Sequence, residues 1–149
     1  AAASKVGSIL ANKENKIKDA LEFYGKNLGL TFQIADDTLD YNSELKLFGK
    51  EIGNDFYEGK ITLPIILLYQ KSSDNDKKEL RYLFKKKERS ENEFKNIILM
   101  IKKNNIIFDC YRKAEHFINL ASNSLSIFDE SKEKEILQGL TSFSLKRTF

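Results

Sequence analysis

An all-α fold is what this sequence predicts, and three observations predict it. Apolar residues recur at helical spacing along most of the chain, alternating strand patterns are absent apart from short runs, and one proline stands among 149 residues. Hydrophobic residues make up 41% and charged residues 32%. That balance fits a single globular domain with a proper core, not a disordered or fibrous chain.

The first stretch, Ala1 to Ala11, has helix-forming composition and an apolar side in Val6, Ile9 and Leu10, without a capping residue to begin it. It reads as helix interior, so the residues are expected to belong to something longer. A long helix follows from about Glu14 to Tyr41, burying Ile17, Leu21, Tyr24, Leu28, Phe32, Ala35 and Leu39. Gly25, Gly29 and Gln33 run along a neighbouring stripe. Each mid-helix glycine costs roughly 0.5 to 1 kcal/mol relative to alanine. The stripe therefore implies close helix packing or open space beside the backbone, and we read it as a cavity.

Residues 42–61 form the long non-helical stretch, punctuated by Gly49, Gly53 and Gly59. Thr62 and Pro64 open a new helix through Ile65 to Leu68. A turn at Ser72 to Asn75 precedes an amphipathic helix from about Asp76 to Lys87. Ser90 with Glu93 three residues on is a capping box, opening a helix that stops near Asn104 and Asn105. Further helices run from Ile106 or Ile107 to about Ile127, and from about Ser131 to Lys146.

The chemistry concentrates at Phe32 to Tyr41, FQIADDTLDY. Asp36 and Asp37 each lie within one helical turn of Asp40, so three like charges crowd one face near a helix C-terminus, where the dipole also disfavours them. A cation among them relieves both penalties. Carboxylates suit a hard divalent ion such as magnesium, manganese or calcium, and no His or Cys is near to favour zinc or iron. Lys50 and Lys60 follow in the glycine-rich stretch, the pairing expected where metal ions and a phosphate or diphosphate are held together. The competing reading is a solvated acidic face followed by a polar loop.

Other functions find little support. Net charge is +3 from 25 basic and 22 acidic residues, and the run Lys85 to Lys87 with Arg89 reads as a helix end rather than a nucleic-acid patch. Cys110 is alone among apolar neighbours, a buried thiol. His116 lacks partner ligands, and no serine has a nucleophile elbow or a base near it. No stretch approaches the roughly 18 apolar residues of a membrane span, and no signal peptide is visible. A soluble, cytoplasmic location is expected.

The segments LGLTFQIADDTLDY and then FGKEIGNDFYEGKITLPII resemble the second aspartate-rich region of trans-isoprenyl (polyprenyl) diphosphate synthases. AAASKVGSILA, ALEFYGKNLGL and the C-terminal AEHFINLASNSLSIFDESKEKEILQGL resemble later helices of that family, so the likeness covers nearly the whole chain. The wording DFYEGKITLP looks most like the long-chain octaprenyl and decaprenyl branch that makes quinone side chains such as ubiquinone's. The resemblance implies an isoprenoid-synthase helical bundle, of which residues 1–149 are the C-terminal part of one domain. It implies that Asp36, Asp37 and Asp40 bind Mg2+, with Mn2+ as alternative, and that Asp55 supports the metal shell. Lys50 and Lys60 would contact the allylic diphosphate, and Gln33 would lie near the reacting carbons. The implied reaction extends an allylic diphosphate with isopentenyl diphosphate, usually in a homodimer.

The family's first aspartate-rich motif has no counterpart here, nor do the upstream basic residues for isopentenyl diphosphate or the lysine-threonine pair before Ala1. These residues alone are therefore expected to be catalytically silent, completed by an N-terminal half on the same chain or another. Two other readings stand beside this one: a non-catalytic or split subunit that partners an active synthase, and an unrelated helical protein with an accidental acidic cluster.

Overall fold

A computed structural model describes residues 1–42 and 52–146. Among these residues the regular structure is helical. In order come α1 (Ala2–Leu10), α2 (Asn15–Leu39), α3 (Asn54–Glu58), α4 (Leu63–Lys71), α5 (Asp74–Lys85), α6 (Glu91–Lys103), α7 (Ile106–Ser124) and α8 (Lys132–Lys146). A 3-10 turn, Leu125–Ile127, follows α7. The all-α fold read from the periodicity is the fold observed.

Helix ends fall where local chemistry puts them. Pro64 sits in the first turn of α4, where its missing N–H costs nothing. The Ser73 hydroxyl accepts from the Asp76 amide, so α5 starts two residues earlier than the sequence reading placed it. The capping box is real: the Ser90 hydroxyl accepts from the Glu93 amide at 3.3 Å, and the Glu93 carboxylate accepts from the Ser90 amide at 2.8 Å. One expectation needs correction. The stretch read as non-helical contains α3, whose five residues are too few to show a period.

The chain divides into two compact units, residues 1–35 with 112–149 and residues 36–111. In the first, Tyr24, Ala121 and Leu125 are buried against Leu21, Leu28, Phe128 and Leu137. The Tyr24 hydroxyl donates to the Leu137 carbonyl at 2.8 Å, which satisfies its polar end inside that core. The glycine stripe splits in its reasons. A Cβ on Gly25 would lie 2.2 Å from Ser4 Oγ, so α1 packs directly onto α2 there, whereas Gly29 faces open space.

The second unit buries Leu68, Ile101 and Ile106 completely, with Ile65, Leu80 and Ile97 nearly so. An aromatic group joins it: Phe56 lies with Phe94 at 5.3 Å, Phe84 at 5.8 Å and Tyr57 at 5.5 Å between ring centroids. Tyr41 meets Phe94 at 6.3 Å. These rings form the floor beneath residues 53–60.

Candidate functional site

The three aspartates of the motif differ in environment. Asp36 is exposed, Asp37 is 8% exposed, and Asp40 is half-buried. Asp36 and Asp37 lie in the last turn of α2 and Asp40 just past its end, and the second unit holds all three together with Asp55 and Lys60. Gln33 is exposed on α2 and belongs to the first unit. Lys50 lies outside the described residues.

Asp40 makes the densest polar contacts of the region. One carboxylate oxygen, Oδ1, accepts from the amides of Gly53 and Asn54, each at 3.1 Å, and Oδ2 accepts from the Asp55 amide at 2.9 Å. The Asp40 backbone carbonyl accepts from Gly53 as well, at 2.9 Å. These amides are first-turn donors that α3 cannot satisfy internally. The negative charge that α2 places near its own C-terminus is thus met by N–H groups. Burial raises the Asp40 carboxyl above its ordinary value, with the Asp55 charge adding to it against the pull of the three amides.

Helix α3 ends as firmly as it begins. Gly59 takes φ 76°, its amide donates to the Phe56 carbonyl at 3.0 Å, and the Lys60 amide donates to the Asp55 carbonyl at 2.8 Å. This is the Schellman pattern, and it fixes the backbone from which Lys60 projects. The Lys60 ammonium then lies 3.1 Å from Asp55 and 2.7 Å from Glu58. Bonds to Glu58 and Asp55 raise its pKa well above the ordinary lysine value, so it remains a cation at neutral pH. At the start of α3, Gly53 takes φ 91° and its Cα sits against the Phe94 ring, which a Cβ would meet at 2.7 Å.

Two further residues belong here: Arg89, read from sequence only as part of a basic helix end, and Tyr41, to which the sequence assigned no role. Arg89 donates to the carbonyls of Phe84 at 3.0 Å and Tyr57 at 3.3 Å, and its guanidinium stacks on the Phe84 ring at 5.3 Å. It closes the end of α5 and also covers Gly59, where a Cβ would meet it at 2.6 Å. No local sequence pattern announces that contact, 30 residues away in the chain. Tyr41 is 1% exposed, and burial with the charges of Asp40, Asp55 and Asp37 raises its hydroxyl well above the ordinary value. The Thr62 hydroxyl is its neighbour, and neither has a partner in good hydrogen-bond geometry.

The donor set fits a hard divalent ion in a particular way. Among the described residues no three His, Cys, Asp or Glu side chains form a cage that would hold a metal alone. Magnesium is commonly held by one or two carboxylates, with water and substrate phosphate oxygens completing its octahedron. The exposed Asp36 could supply one such carboxylate, with the anchored Lys60 in the same unit, whereas Asp37 is buried. Among the described residues no helix is long and apolar enough to cross a membrane.

Residues 1–101 match the family model described as polyprenyl synthetase. The chain is 31% identical to a short chain isoprenyl diphosphate synthase of Methanothermobacter thermautotrophicus, over 99% of this chain and 45% of the relative. It is also 31% identical to an all-trans-nonaprenyl-diphosphate synthase of Rhodobacter capsulatus, over 97% of this chain and 44% of the relative. Its fold is similar to the crystal structure of a polyprenyl synthase from Caulobacter crescentus CB15 complexed with calcium and isoprenyl diphosphate. The TM-score there is 0.85 at 32% identity, covering 99% of this chain and 45% of that one. The chain therefore spans about half the length of the relatives it matches.

Proposed function

This chain belongs to the polyprenyl synthetase family, and from that premise we propose that it forms the second-aspartate-motif wall of a trans-prenyl diphosphate synthase. The reaction is extension of an allylic diphosphate with isopentenyl diphosphate. The observation that carries the reading is the hydrogen-bonded join of the motif to the next helix, Asp40 accepting from the amides of Gly53, Asn54 and Asp55, with the Lys60 ammonium bound to Asp55. The calcium and isoprenyl diphosphate complexed with the Caulobacter polyprenyl synthase agree with a site for a divalent ion and a diphosphate.

Asp36 and Asp37 would hold Mg2+, or Mn2+, with Asp55 behind them. The metal supplies Lewis-acid stabilisation of the leaving diphosphate. Lys60 adds a fixed positive charge where negative charge develops as the allylic carbon-oxygen bond breaks. Lys50 is assigned the same role on the resemblance alone. Gln33 is likewise assigned a place near the reacting carbons on the resemblance alone. Relatives named for short-chain and for nonaprenyl products match at equal identity. The long-chain, quinone-directed product therefore rests on the wording of the motif.

The test is elongation of farnesyl diphosphate with labelled isopentenyl diphosphate by the full-length protein. Replacing Asp36 and Asp37 together by alanine should lower turnover at least about 10²-fold, the loss typical when a transition-state electrostatic contact is removed. Full activity in that variant would refute the site. A second reading is that residues 1–149 work as a non-catalytic or split subunit that partners an active synthase; a relative 28% identical to this chain is named heptaprenyl diphosphate synthase component 2. Purified residues 1–149 should then be silent alone and gain activity on addition of a chain carrying the other half.

A further inference from the structure

Building on that reading, we propose that Asp40 is a positioning residue that sets Lys60, not a ligand of the metal. Sequence spacing treats the three aspartates of the motif as equivalent, but the structure separates them. Asp36 is exposed and free to meet an ion, while both oxygens of Asp40 point to backbone amides of the next helix.

The contacts from Asp40 to Lys60 are continuous. Asp40 holds the amides of Gly53, Asn54 and Asp55, the unsatisfied donors that begin α3. Helix α3 is five residues long, so its start fixes its end. Its last turn passes through Gly59 to the Lys60 amide, which binds the Asp55 carbonyl at 2.8 Å. The Lys60 ammonium is held by the Asp55 side chain at 3.1 Å. Every link between carboxylate and ammonium is a hydrogen bond or a single helical turn. Three of the roughly four acceptor sites of the Asp40 carboxylate are already taken by this segment, both on Oδ1 and one on Oδ2. An aspartate suits the task because it has two oxygens, one for a pair of amides and one for the third. Asparagine can keep the pair, but its NH2 cannot accept from Asp55.

Two measurements on the full-length protein test this, and they fail independently. The first is hydrogen exchange without metal or substrate in wild type, D40N, D40A and D36N. Residues 53–60 should exchange about tenfold faster or more in D40A, less so in D40N, and at the wild-type rate in D36N. Unchanged exchange in both Asp40 variants overturns the proposal, whatever the catalytic function. The second is a Mg2+ titration of prenyl transfer. D40N should keep the half-saturating Mg2+ concentration of wild type within about twofold while turnover falls by up to about 10²-fold through misplacement of Lys60. D36N should raise the Mg2+ requirement. A D40N shift as large as that of D36N overturns the positioning role. Absence of any prenyl transfer by wild type refutes the proposed function and leaves the exchange result to decide the anchor.

Discussion

Gly59 shows how one residue type can be imposed by two constraints. Its φ of 76° lies in the left-handed region, and the guanidinium of Arg89 occupies the space a Cβ would need. Gly59→Ala should cost at least about 1 kcal/mol from backbone conformation alone, and displacement of Arg89 adds to it. Gly29→Ala is the contrasting case: the position is open and mid-helix, so alanine should stabilise by roughly 0.5 to 1 kcal/mol. Urea unfolding of the two variants against wild type gives midpoints that move in opposite directions. Movement the same way would mean that the surroundings of one glycine are misread. At this scale the sequence was only partly legible. That Asp36, Asp37, Asp40 and Lys60 belong to one region could be read from their order. The different use of Asp40 could not, because its amide partners lie 13 to 15 residues further on and form no periodic pattern. Arg89 was legible only as part of a basic helix end, which its bond to the Phe84 carbonyl matches; its contact with Tyr57 was not, because every sequence has backbone carbonyls.

Helices as elements were legible wherever their length exceeded two turns, because burial of one face repeats with the helix period. The capping box at Ser90 is the clearest instance, since two side chains three residues apart both fix and reveal a helix start. Its electrostatics yield a pH prediction. Lys86 and the Ser90 amide hold the Glu93 carboxyl down to about 2, against an ordinary value of 4.5. A carboxyl depressed by folding stabilises the native state above its unfolded pKa, and that contribution is lost as pH falls through the folded value. Stability owed to Glu93 is therefore complete above about 4.5 and disappears between there and about 2. Glu93→Gln should be less stable than wild type at pH 6 and nearly equal to it at pH 2, with a shallower acid slope between. Guanidinium midpoints across that range decide it, and a difference that persists unchanged at pH 2 would contradict the assignment. Helix α3 escaped notice for the opposite reason. It is held by contacts outside itself, from Asp40 at one end to Arg89 at the other, and five residues carry no pattern of their own.

For the whole molecule, the sequence made the family legible through the order of its motifs, and the model match over residues 1–101 agrees. What it could not supply was the geometry by which a partial carboxylate set becomes a working site. Cys110 offers a way to ask whether it does, without relying on turnover. Its side chain is fully buried in the second unit and burial raises its thiol to about 11, with Asp109 and Asp37 adding to the shift against a hydrogen bond from Thr38. A thiol both protonated and inaccessible reacts only when the surrounding structure opens. Thr38 stands within the aspartate motif itself, so opening that exposes Cys110 disturbs the same end of α2 that would bind metal and diphosphate. A ligand that binds only the closed form slows such opening by its own mass action, about 2.7 kcal/mol at a concentration of 100 Kd, which is roughly a hundredfold. Iodoacetamide labelling of Cys110 in the full-length protein should therefore slow by about that factor with saturating Mg2+ and an allylic diphosphate together, and far less with either alone. The joint requirement follows from the donor set, because two carboxylates with water hold magnesium weakly until phosphate oxygens take the place of some of that water. Protection by diphosphate without metal would assign binding to the lysines alone. Labelling indifferent to both would remove the ligand site from this unit and leave Asp36 as a solvated residue at a helix end.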